Sequence, residues 1–557
     1  MMVPPIELPE KYYLDYFESL LAFVEEKSGH LLSRKEKNFY RKFRALPEDA
    51  RCLFIRLTNR KGCFFRTEKL QYTEIADLPS TVALLCEQKF LSPLLPRHTA
   101  QLREALSIFT KPELLTLLKT VDAEAIKPLR ALKKAELLTQ AAATFPTRKV
   151  LQAIRTQEPV VRVNYEAEIE MLRFFYFGDI HGDMTRFVVR DMGIIKHEKH
   201  DESKLQAFFK TRREAEDKLK LSKVYQAFKV LRDEQQAPAD HIYQWFSNQE
   251  LDQEQFGEVA RPLFDKLSLR LGKLLEQQQH PRFALSVYQH TDQAPARERR
   301  VRLMHKLSQT EQALQLCQEI QESPQNAEER FFAEDFQNRL QKKKRTKRTT
   351  DFLKSSRSLT LDETNRYYVE LGVLDHYQQQ GYRGAHTENY LWRSFFGLLF
   401  WDIIFDQDCE ALHNPLQITP ADFYTPKFLE KRQAQLQQRL TVLEHPSRFY
   451  NIIRYHYETK LGTSNPMVGW HESVLPLVTA CYEKLTPPQI GSTLLEMAKN
   501  LKENTRGFPD LFVWNETTYN FVEVKSPNDH LSAQQLHWLT FFQNQGISAE
   551  VVRVEWE

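Results

Sequence analysis

Two kinds of apolar pattern divide the chain. Over most of its length apolar side chains recur every three or four residues, as in YYLDYFESLLAFVEE at 12–26 and TEQALQLCQEIQE at 310–322. This spacing places them on one face of a helix and predicts amphipathic helices. Near the C-terminus the β-prone runs 511–514 and 521–525 flank the polar stretch 515–520. A polar turn between two such runs predicts a β-hairpin.

In that hairpin Asp510 should lie opposite the end of the second strand. Alternation along the strand puts Glu523 and Lys525 on one face and the intervening valine on the other. Two carboxylates and one ammonium would then meet at one point. With a strand carbonyl they would suit Mg²⁺ or Mn²⁺, which polarises a phosphodiester and activates a bound water. A surface hairpin with an ordinary Glu–Lys pair is the alternative.

The residues of this stretch, GFPDLFVWN followed by FVEVKSPNDHLSAQQLHWL, resemble the VRR-NUC branch of the PD-(D/E)xK nucleases. The match is close to that of the Fanconi-associated nucleases and their bacterial relatives. It implies that Asp510 and Glu523 bind metal with help from the Val524 carbonyl. It also implies that Lys525 is catalytic and that Gln535 reaches the active site.

The rest of this domain is expected to begin near residue 372. Glu388 shares helical spacing with Leu391 and Trp392, which places a carboxylate on an apolar helix face. The resemblance implies that Glu388 is the additional metal-site acid, whereas an exposed first-turn glutamate is the alternative. Residues 532–535 have the capping-box pattern that opens a helix, and ISAEVVRV should complete a mixed sheet. Two cations before Asp510 are candidate phosphate ligands, Lys502 and Arg506.

The N-terminal region predicts helices and a basic hairpin. The hairpin is expected in CLFIRLTNRKGCFFRTEKLQY, with its turn at 59–62. Its cations could hold duplex DNA by the phosphates, or could form a solvated tip. These cations are Arg56, Arg60, Lys61 and Arg66.

Two helical phrases at 110–115 and 132–138 loosely resemble a SAP module, a small DNA-binding unit of this nuclease family. An ordinary helical hairpin is the alternative. Three cations near the second phrase would meet phosphates, namely Arg130, Lys133 and Lys134. The motif GDIHGD at 178–183 is typical of metallophosphoesterases, but the GDxxDRG and GNH motifs that should follow are missing. We expect a structural helix–loop–helix there, with 183–185 starting the second helix.

Successive amphipathic helices from about 200 to 370 indicate an α-solenoid similar to tetratricopeptide repeats. Near its end lies the basic run 342–348. Such a run is a solvated helix end or, in a DNA enzyme, a phosphate contact. The candidates are Lys342, Lys343 and Lys344.

The composition mainly excludes certain kinds of site and segment. With 77 basic and 74 acidic residues the formal net charge is only +3, so DNA binding would require local clusters of cations. Six scattered cysteines form neither a zinc motif nor a disulfide pattern. No signal peptide is apparent at the N-terminus. The most apolar run, 395–405, contains Asp402 and is too short to span a membrane. We expect a cytoplasmic protein, associated with the nucleoid if it is bacterial.

We therefore expect a mainly α, multidomain protein with a C-terminal α/β restriction-endonuclease-like domain. The resemblance implies an Mg²⁺- or Mn²⁺-dependent 5′-flap endonuclease and 5′ exonuclease acting on branched DNA in interstrand-crosslink repair. It would be a monomer, with protein partners possible on the helical repeats. A Holliday-junction-resolving nuclease and a non-catalytic junction scaffold are the alternatives. The expected domains are 1–95 (helical and hairpin), 96–160 (SAP-like), 161–371 (tetratricopeptide-like) and 372–557 (VRR-NUC).

Overall fold

The computed structural model of the protein describes residues 8–251, 256–344 and 346–557. The N-terminal seven residues, where the sequence predicts no signal peptide, and Arg345 of the basic run lie outside these ranges. The chain forms two compact units. One takes the residues up to 194 together with 207–215, and the other takes 195–206 with 216–557. No helix within the described ranges is long and apolar enough to cross a membrane.

The first unit packs helices around a small antiparallel sheet in which β3 lies between β1 and β2. The strands are β1 (Phe64–Arg66), β2 (Leu91–Pro93) and β3 (Val160–Val163). The helices are α1 (Tyr12–Ser28), α2 (Arg34–Arg44), α3 (Glu48–Thr58), α4 (Leu78–Glu87), α5 (Leu102–Ser107), α6 (Lys111–Val121), α7 (Lys134–Thr144), α8 (Thr147–Gln157), α9 (Glu166–Phe177) and α10 (Thr185–Asp191).

The hairpin predicted around residues 59–62 is wrong. Its first half, CLFIRL, belongs to α3, and its second half contributes β1, which pairs with β3 instead. The run looked like a strand because it is apolar without a break. In the structure Leu53, Phe54 and Ile55 are buried on all sides of one helix, and periodicity cannot separate that case from a buried strand.

Two of the four cations assigned to that hairpin hold the fold together. The Arg66 guanidinium donates to Glu113 at 2.9 and 3.0 Å and to Glu158 at 2.7 Å, which ties β1 to α6 and α8. Arg56 donates to Glu74 at 2.8 Å. We therefore withdraw Arg56 and Arg66 as phosphate contacts.

The other predicted elements of this unit are confirmed. The two SAP-like phrases form α6 and α7, whose leucines share one buried cluster. The GDIHGD motif is a helix–loop–helix. Gly178 ends α9 in the left-handed region (φ +69°), where a Cβ would lie 2.7 Å from the Phe208 ring. The Asp183 carboxylate accepts a bond of 2.9 Å from the Thr185 amide and so starts α10.

The second unit begins with a helical array. Consecutive helices pack against one another from α13 to α17, and the phrases read as repeat helices form α14, α15 and α16. The α-solenoid predicted from about 200 to 370 is thereby confirmed over residues 261–341. The helices are α11 (Arg212–Lys229, which starts in the first unit), α12 (Ala239–Ser247), α13 (Arg261–Gln277), α14 (Pro281–Tyr288), α15 (Ala296–Lys306), α16 (Thr310–Glu322), α17 (Ala327–Gln341) and α18 (Arg348–Lys354).

A five-stranded mixed sheet follows, in the order β4-β8-β7-β6-β5. β8 runs parallel to both of its neighbours, whereas β6 is antiparallel to β5 and β7. The strands are β4 (Arg357–Leu361), β5 (Arg383–His386), β6 (Leu511–Trp514), β7 (Tyr519–Lys525) and β8 (Ala549–Trp556). The helices are α19 (Val369–Gln379), α20 (Tyr390–Leu399), α21 (Trp401–Ile404), α22 (Lys427–Leu440), α23 (Pro446–Lys460), α24 (Val474–Lys484), α25 (Pro487–Lys499) and α26 (Ala533–Asn544).

The predicted β6–β7 hairpin is confirmed. Leu511 pairs with Val522 and Trp514 with Tyr519, so Asp510 falls opposite Glu523. The Asn515 side chain closes the turn by accepting from two backbone amides at 2.8 and 3.0 Å. Both faces of the sheet are covered, by α19 on one side and by α20 and α26 on the other. The acids at the end of the hairpin are therefore drawn into a core.

The first prediction concerns Arg66. Replacing it by alanine leaves the buried Glu158 without a partner, so Arg66→Ala should lower the free energy of unfolding by about 2–4 kcal/mol. Arg60→Ala, an exposed control, should stay within about 0.5 kcal/mol. Thermal and urea unfolding of the full chain measure both. If Arg66→Ala weakened DNA binding without loss of stability, Arg66 would be a phosphate contact after all.

Candidate active site

Asp510 sits where β6 begins, and its own backbone and the neighbouring strand hold it there. Its carboxylate accepts a bond of 2.8 Å from the Val524 amide. Its carbonyl accepts from the amides of Thr387 and Glu388 at 2.7 and 2.9 Å. These contacts join the end of β5, the start of β6 and the end of β7 at one edge of the sheet.

Glu523 is the most deeply buried acid of the site. The residue is 0% exposed, and its side chain lies on the face of β7 that also carries Lys525. The Lys525 ammonium is 2.8 Å from Oε1 of Glu523, and the Gln535 amide donates to the same oxygen. The other oxygen, Oε2, has no hydrogen-bond partner among the described residues. A buried carboxylate oxygen without a donor is what a hard cation would satisfy.

The electrostatics of the two acids reflect this burial. Desolvation raises the pKa of Asp510 to about 6, against the Val524 amide and the Lys525 charge, which lower it. Desolvation, followed by repulsion from Asp510, raises the pKa of Glu523 to about 8, and Lys525 only partly offsets this. Like charges at one site disfavour joint ionisation unless a cation stands between them.

Glu388 lies outside the helix to which the sequence assigned it. It precedes α20, which starts at Tyr390, and its φ of +37° is left-handed. The prediction of a shared helical face with Leu391 and Trp392 is therefore wrong. Its amide is bonded to Asp510, while its exposed carboxylate accepts from Asn389 at 2.9 Å. Within the described ranges no three His, Cys, Asp or Glu side chains already form a metal-binding group.

The first turn of α26 orients Gln535. Ser532 and Gln535 form the predicted capping box, in which the Gln535 carbonyl accepts from the Ser532 amide at 2.9 Å. Because that contact fixes one end of the side-chain amide, its NH₂ group points to Glu523. One turn on, Trp538 stacks on Phe508 with ring centres 4.1 Å apart and donates to the Arg506 carbonyl. The helix and the strand entering Asp510 thus support each other.

Glu370 was missed from the sequence. Burial is the largest cause of the raised pKa of Asp510, and the charge of Glu370, in the first turn of α19, adds to it. Glu370 is therefore a further carboxylate whose charge acts on Asp510. No short motif links it to the hairpin, since 140 positions separate it from Asp510, and only the packing of α19 on the sheet shows it.

A basic cluster around Tyr225 was also missed. The Nζ atoms of Lys229 and Lys266 are each 5.5 Å from the centre of the Tyr225 ring, and Arg270 is 5.9 Å away. Burial lowers the pKa of Lys266, as do the charges of Arg270, Lys229 and Lys502. The i, i+4 spacing of Lys266 and Arg270 on α13 was the available signal. Lys502, whose charge also lowers the pKa of Lys266, is a cation that the sequence did identify.

Most of the other predicted phosphate ligands lie on the surface. The exposed ones are Arg60, Lys61, Arg130, Lys133, Lys134, Lys342 and Lys343. Arg506 is engaged with Glu503, and Lys344 lies 2.7 Å from Asp351. In addition, α2 carries a basic stripe at spacings of three and four residues, which sequence reasoning passed over. The stripe consists of Arg34, Lys37, Arg41 and Arg44.

Comparison with known proteins agrees with this architecture. Residues 445–556 match the model of the VRR-NUC domain, and residues 11–92 match that of the FAN1 HTH domain. A Fanconi-associated nuclease 1 homologue of Pseudomonas aeruginosa is 28% identical over 99% of this chain and 97% of its own length. An Arabidopsis thaliana homologue is 26% identical over the whole chain and 68% of its own length.

The solved structures extend the match to three dimensions. The crystal structure of paFAN1 bound to 2-nucleotide 5′-flap DNA with a gap superposes with a TM-score of 0.82 at 27% identity. It covers 99% of this chain and 100% of its own. Fold, hairpin acids and family match together define a DNA nuclease of the VRR-NUC class, whose members depend on divalent metal. Over nearly its whole length the chain is similar to the Fanconi-associated nucleases.

The raised pKa of Glu523 yields the second prediction. Without metal, the folded protein binds more protons than the unfolded chain between the ordinary pKa of 4.5 and about 8. Its stability should therefore fall as the pH rises through that window, by about 1–3 kcal/mol. Thermal unfolding in EDTA measures this.

Two comparisons make the test specific. Glu523→Gln should flatten the pH dependence in EDTA, because the amide carries no charge. Mn²⁺ should raise the melting temperature of the wild type most at the alkaline end, where the carboxylate is ionised. Equal pH slopes for wild type and Glu523→Gln would contradict the assignment.

Proposed function

We propose that this protein is a structure-specific nuclease that cuts branched DNA near a 5′ flap or a recessed 5′ end, and that it serves interstrand-crosslink repair. The solved relatives carrying 5′-flap DNA support the substrate. The observation that carries the chemistry is the buried Glu523–Asp510 pair with Lys525 against it and one carboxylate oxygen left without a donor.

Mg²⁺ or Mn²⁺, as one ion or two, fits the oxygen-only set that this edge of the sheet offers. The ligands we propose are Glu388, Asp510, Glu523 and the Val524 carbonyl. Bound there, the ion would polarise the scissile phosphodiester and lower the pKa of a water. Glu388 is the adjustable member, because its carboxylate is exposed and its backbone is tied to Asp510.

Lys525 and Gln535 would act around the attacking water. Lys525 donates to Glu523. If a cation held that carboxylate, the ammonium would be available to orient the water or to offset charge on the phosphorus. Gln535 keeps Glu523 in one rotamer through its amide. Both contacts are made to the same oxygen of Glu523. Replacing either Lys525 or Gln535 would therefore leave the carboxylate in place but less firmly held.

Exposed cations on each unit would bind the DNA through its phosphates. On the first unit α2 is better placed than α3, since α3 is buried and α2 presents its stripe to solvent. The further contacts proposed for that unit are Arg60, Lys61, Arg130, Lys133 and Lys134. Those proposed for the second are Lys229, Lys266, Arg270, Lys342, Lys343, Lys344, Lys502 and Arg506.

The domain limits 1–95, 96–160, 161–371 and 372–557 remain our proposal for how these surfaces are divided. We further propose a monomer that acts in the cytoplasm at the nucleoid, with the helical repeats open to protein partners. The intact acid pair disfavours a non-catalytic scaffold. A Holliday-junction resolvase would instead need two active sites on one junction.

The third prediction tests catalysis. Asp510→Ala should slow Mn²⁺- or Mg²⁺-dependent cleavage of a 5′-flapped duplex at least about a hundredfold, because several kcal/mol of metal-derived stabilisation are lost. Flap binding should persist, since the cations are untouched. Glu516→Ala, in the turn of the same hairpin, is the matched control. Cleavage at the wild-type rate by Asp510→Ala would end the catalytic assignment, and preference for four-way junctions would favour the resolvase.

A further inference from the structure

Two tyrosines in the segment that enters α19 are unusually exposed. Tyr367 is 88% and Tyr368 67% exposed, and Leu371, one helical turn on, is 49% exposed. Among the described residues neither tyrosine hydroxyl makes a hydrogen bond and neither ring stacks on another. Large apolar rings that cover nothing in the protein are candidates for contact with something else.

The topology places this tyrosine pair at the catalytic end of the sheet. Helix α19 leads into β5 through a tight turn at Gly381, and β5 pairs antiparallel with β6 so that His386 lies opposite Leu511. Helix and strand therefore run in opposite directions, and the first turn of α19 lies where β5 ends and β6 begins. Val369, next to the pair, is buried in the same cluster as Leu511 and Val524.

The position of the tyrosine pair matters because the acids of the site are buried. Glu523 is fully buried and Lys525 is only 8% exposed, so a phosphodiester must enter the protein surface to reach them. A strand held in a regular duplex cannot do so without losing base pairing and stacking near the reacting phosphate. That loss costs a few kcal/mol per step, and aromatic side chains commonly repay it by stacking on the freed bases.

We propose that Tyr367 and Tyr368 form a stacking platform for the unpaired bases that flank the scissile phosphate. The platform rests on the proposed nuclease function and adds to it the way the strand is held for cutting. Stacking requires the rings and not the hydroxyls, and it favours an unpaired base of any sequence. The pair would thus contribute to the preference for DNA with a flap or a frayed end.

Three variants separate the ring from the hydroxyl and from general surface effects. The first, Tyr367→Ala with Tyr368→Ala, removes the platform. The second, Tyr367→Phe with Tyr368→Phe, keeps both rings. The third, Tyr455→Ala, alters another tyrosine of the same unit that is 61% exposed and serves as control. Since all of these side chains are exposed, each variant should retain the wild-type melting temperature.

The main readout is the fluorescence of 2-aminopurine, which is quenched when the base stacks. The probe is placed at successive positions on either side of the flap junction, and Ca²⁺ replaces Mg²⁺ so that binding is observed without cleavage. Wild type, the double phenylalanine variant and Tyr455→Ala should quench it at the same one or two positions. The double alanine variant should lose that quenching and, with Mg²⁺, about tenfold in kcat/KM on the flap substrate.

The platform would be overturned by quenching that survives in the double alanine variant, or by an equal loss of quenching in the double phenylalanine variant. Quenching at no position in the wild type would overturn it as well. Absence of cleavage by wild type with every metal would instead refute the proposed function, because the fluorescence experiment does not depend on cleavage.

Discussion

The constraint on which the rest of the structure depends is the burial of two carboxylates at one end of a hairpin. Glu523 has no exposed surface, and Asp510 faces it across the strands. The free-energy cost of ionising both carboxylates exceeds the stabilisation that the Lys525 charge provides, and both pKa values are raised for this reason. Without a cation, such a buried pair of carboxylates lowers the stability of the folded protein. It becomes useful when a divalent cation replaces the missing protons, because the same burial then strengthens each metal–oxygen contact.

The surrounding elements keep that pair in register. The capping box of α26 aims Gln535 at Glu523, and the stack of Trp538 on Phe508 holds α26 against the strand that delivers Asp510. At Gly507, with φ +80°, an added Cβ would lie 3.0 Å or less from Gln534, which requires glycine at this approach. The β5–α20 junction completes the edge through backbone bonds to Asp510. Each of these contacts fixes the position of Asp510 or Glu523 and does not neutralise its charge.

Features of the structure that depend on residues close together in the sequence were predicted from local patterns. The hairpin, its register and the capping box follow from a polar turn between apolar runs and from Ser532 with Gln535. Predictions that depended on packing were less reliable. CLFIRL was mistaken for a strand because burial on all sides hides the helical period. Glu388 precedes its helix with a left-handed backbone, and its amide donates to the Asp510 carbonyl. Glu370 is far from the hairpin in the sequence, and no local spacing links the two. The i, i+4 spacing of Lys266 and Arg270 indicated only part of the cluster around Tyr225, and the exposure of the tyrosine pair depends on packing that the sequence does not show.

The central claim is that these acids exist to hold a cation. The most direct measurement is a crystal grown with Mn²⁺ and an uncut 5′-flap DNA and examined by anomalous scattering. The account predicts a manganese peak about 2–2.3 Å from oxygens of Asp510, Glu523 and the Val524 carbonyl, with Glu388 turned inward. Bound DNA with no manganese between Asp510 and Glu523, and with Glu523 still paired only to Lys525 and Gln535, would contradict it.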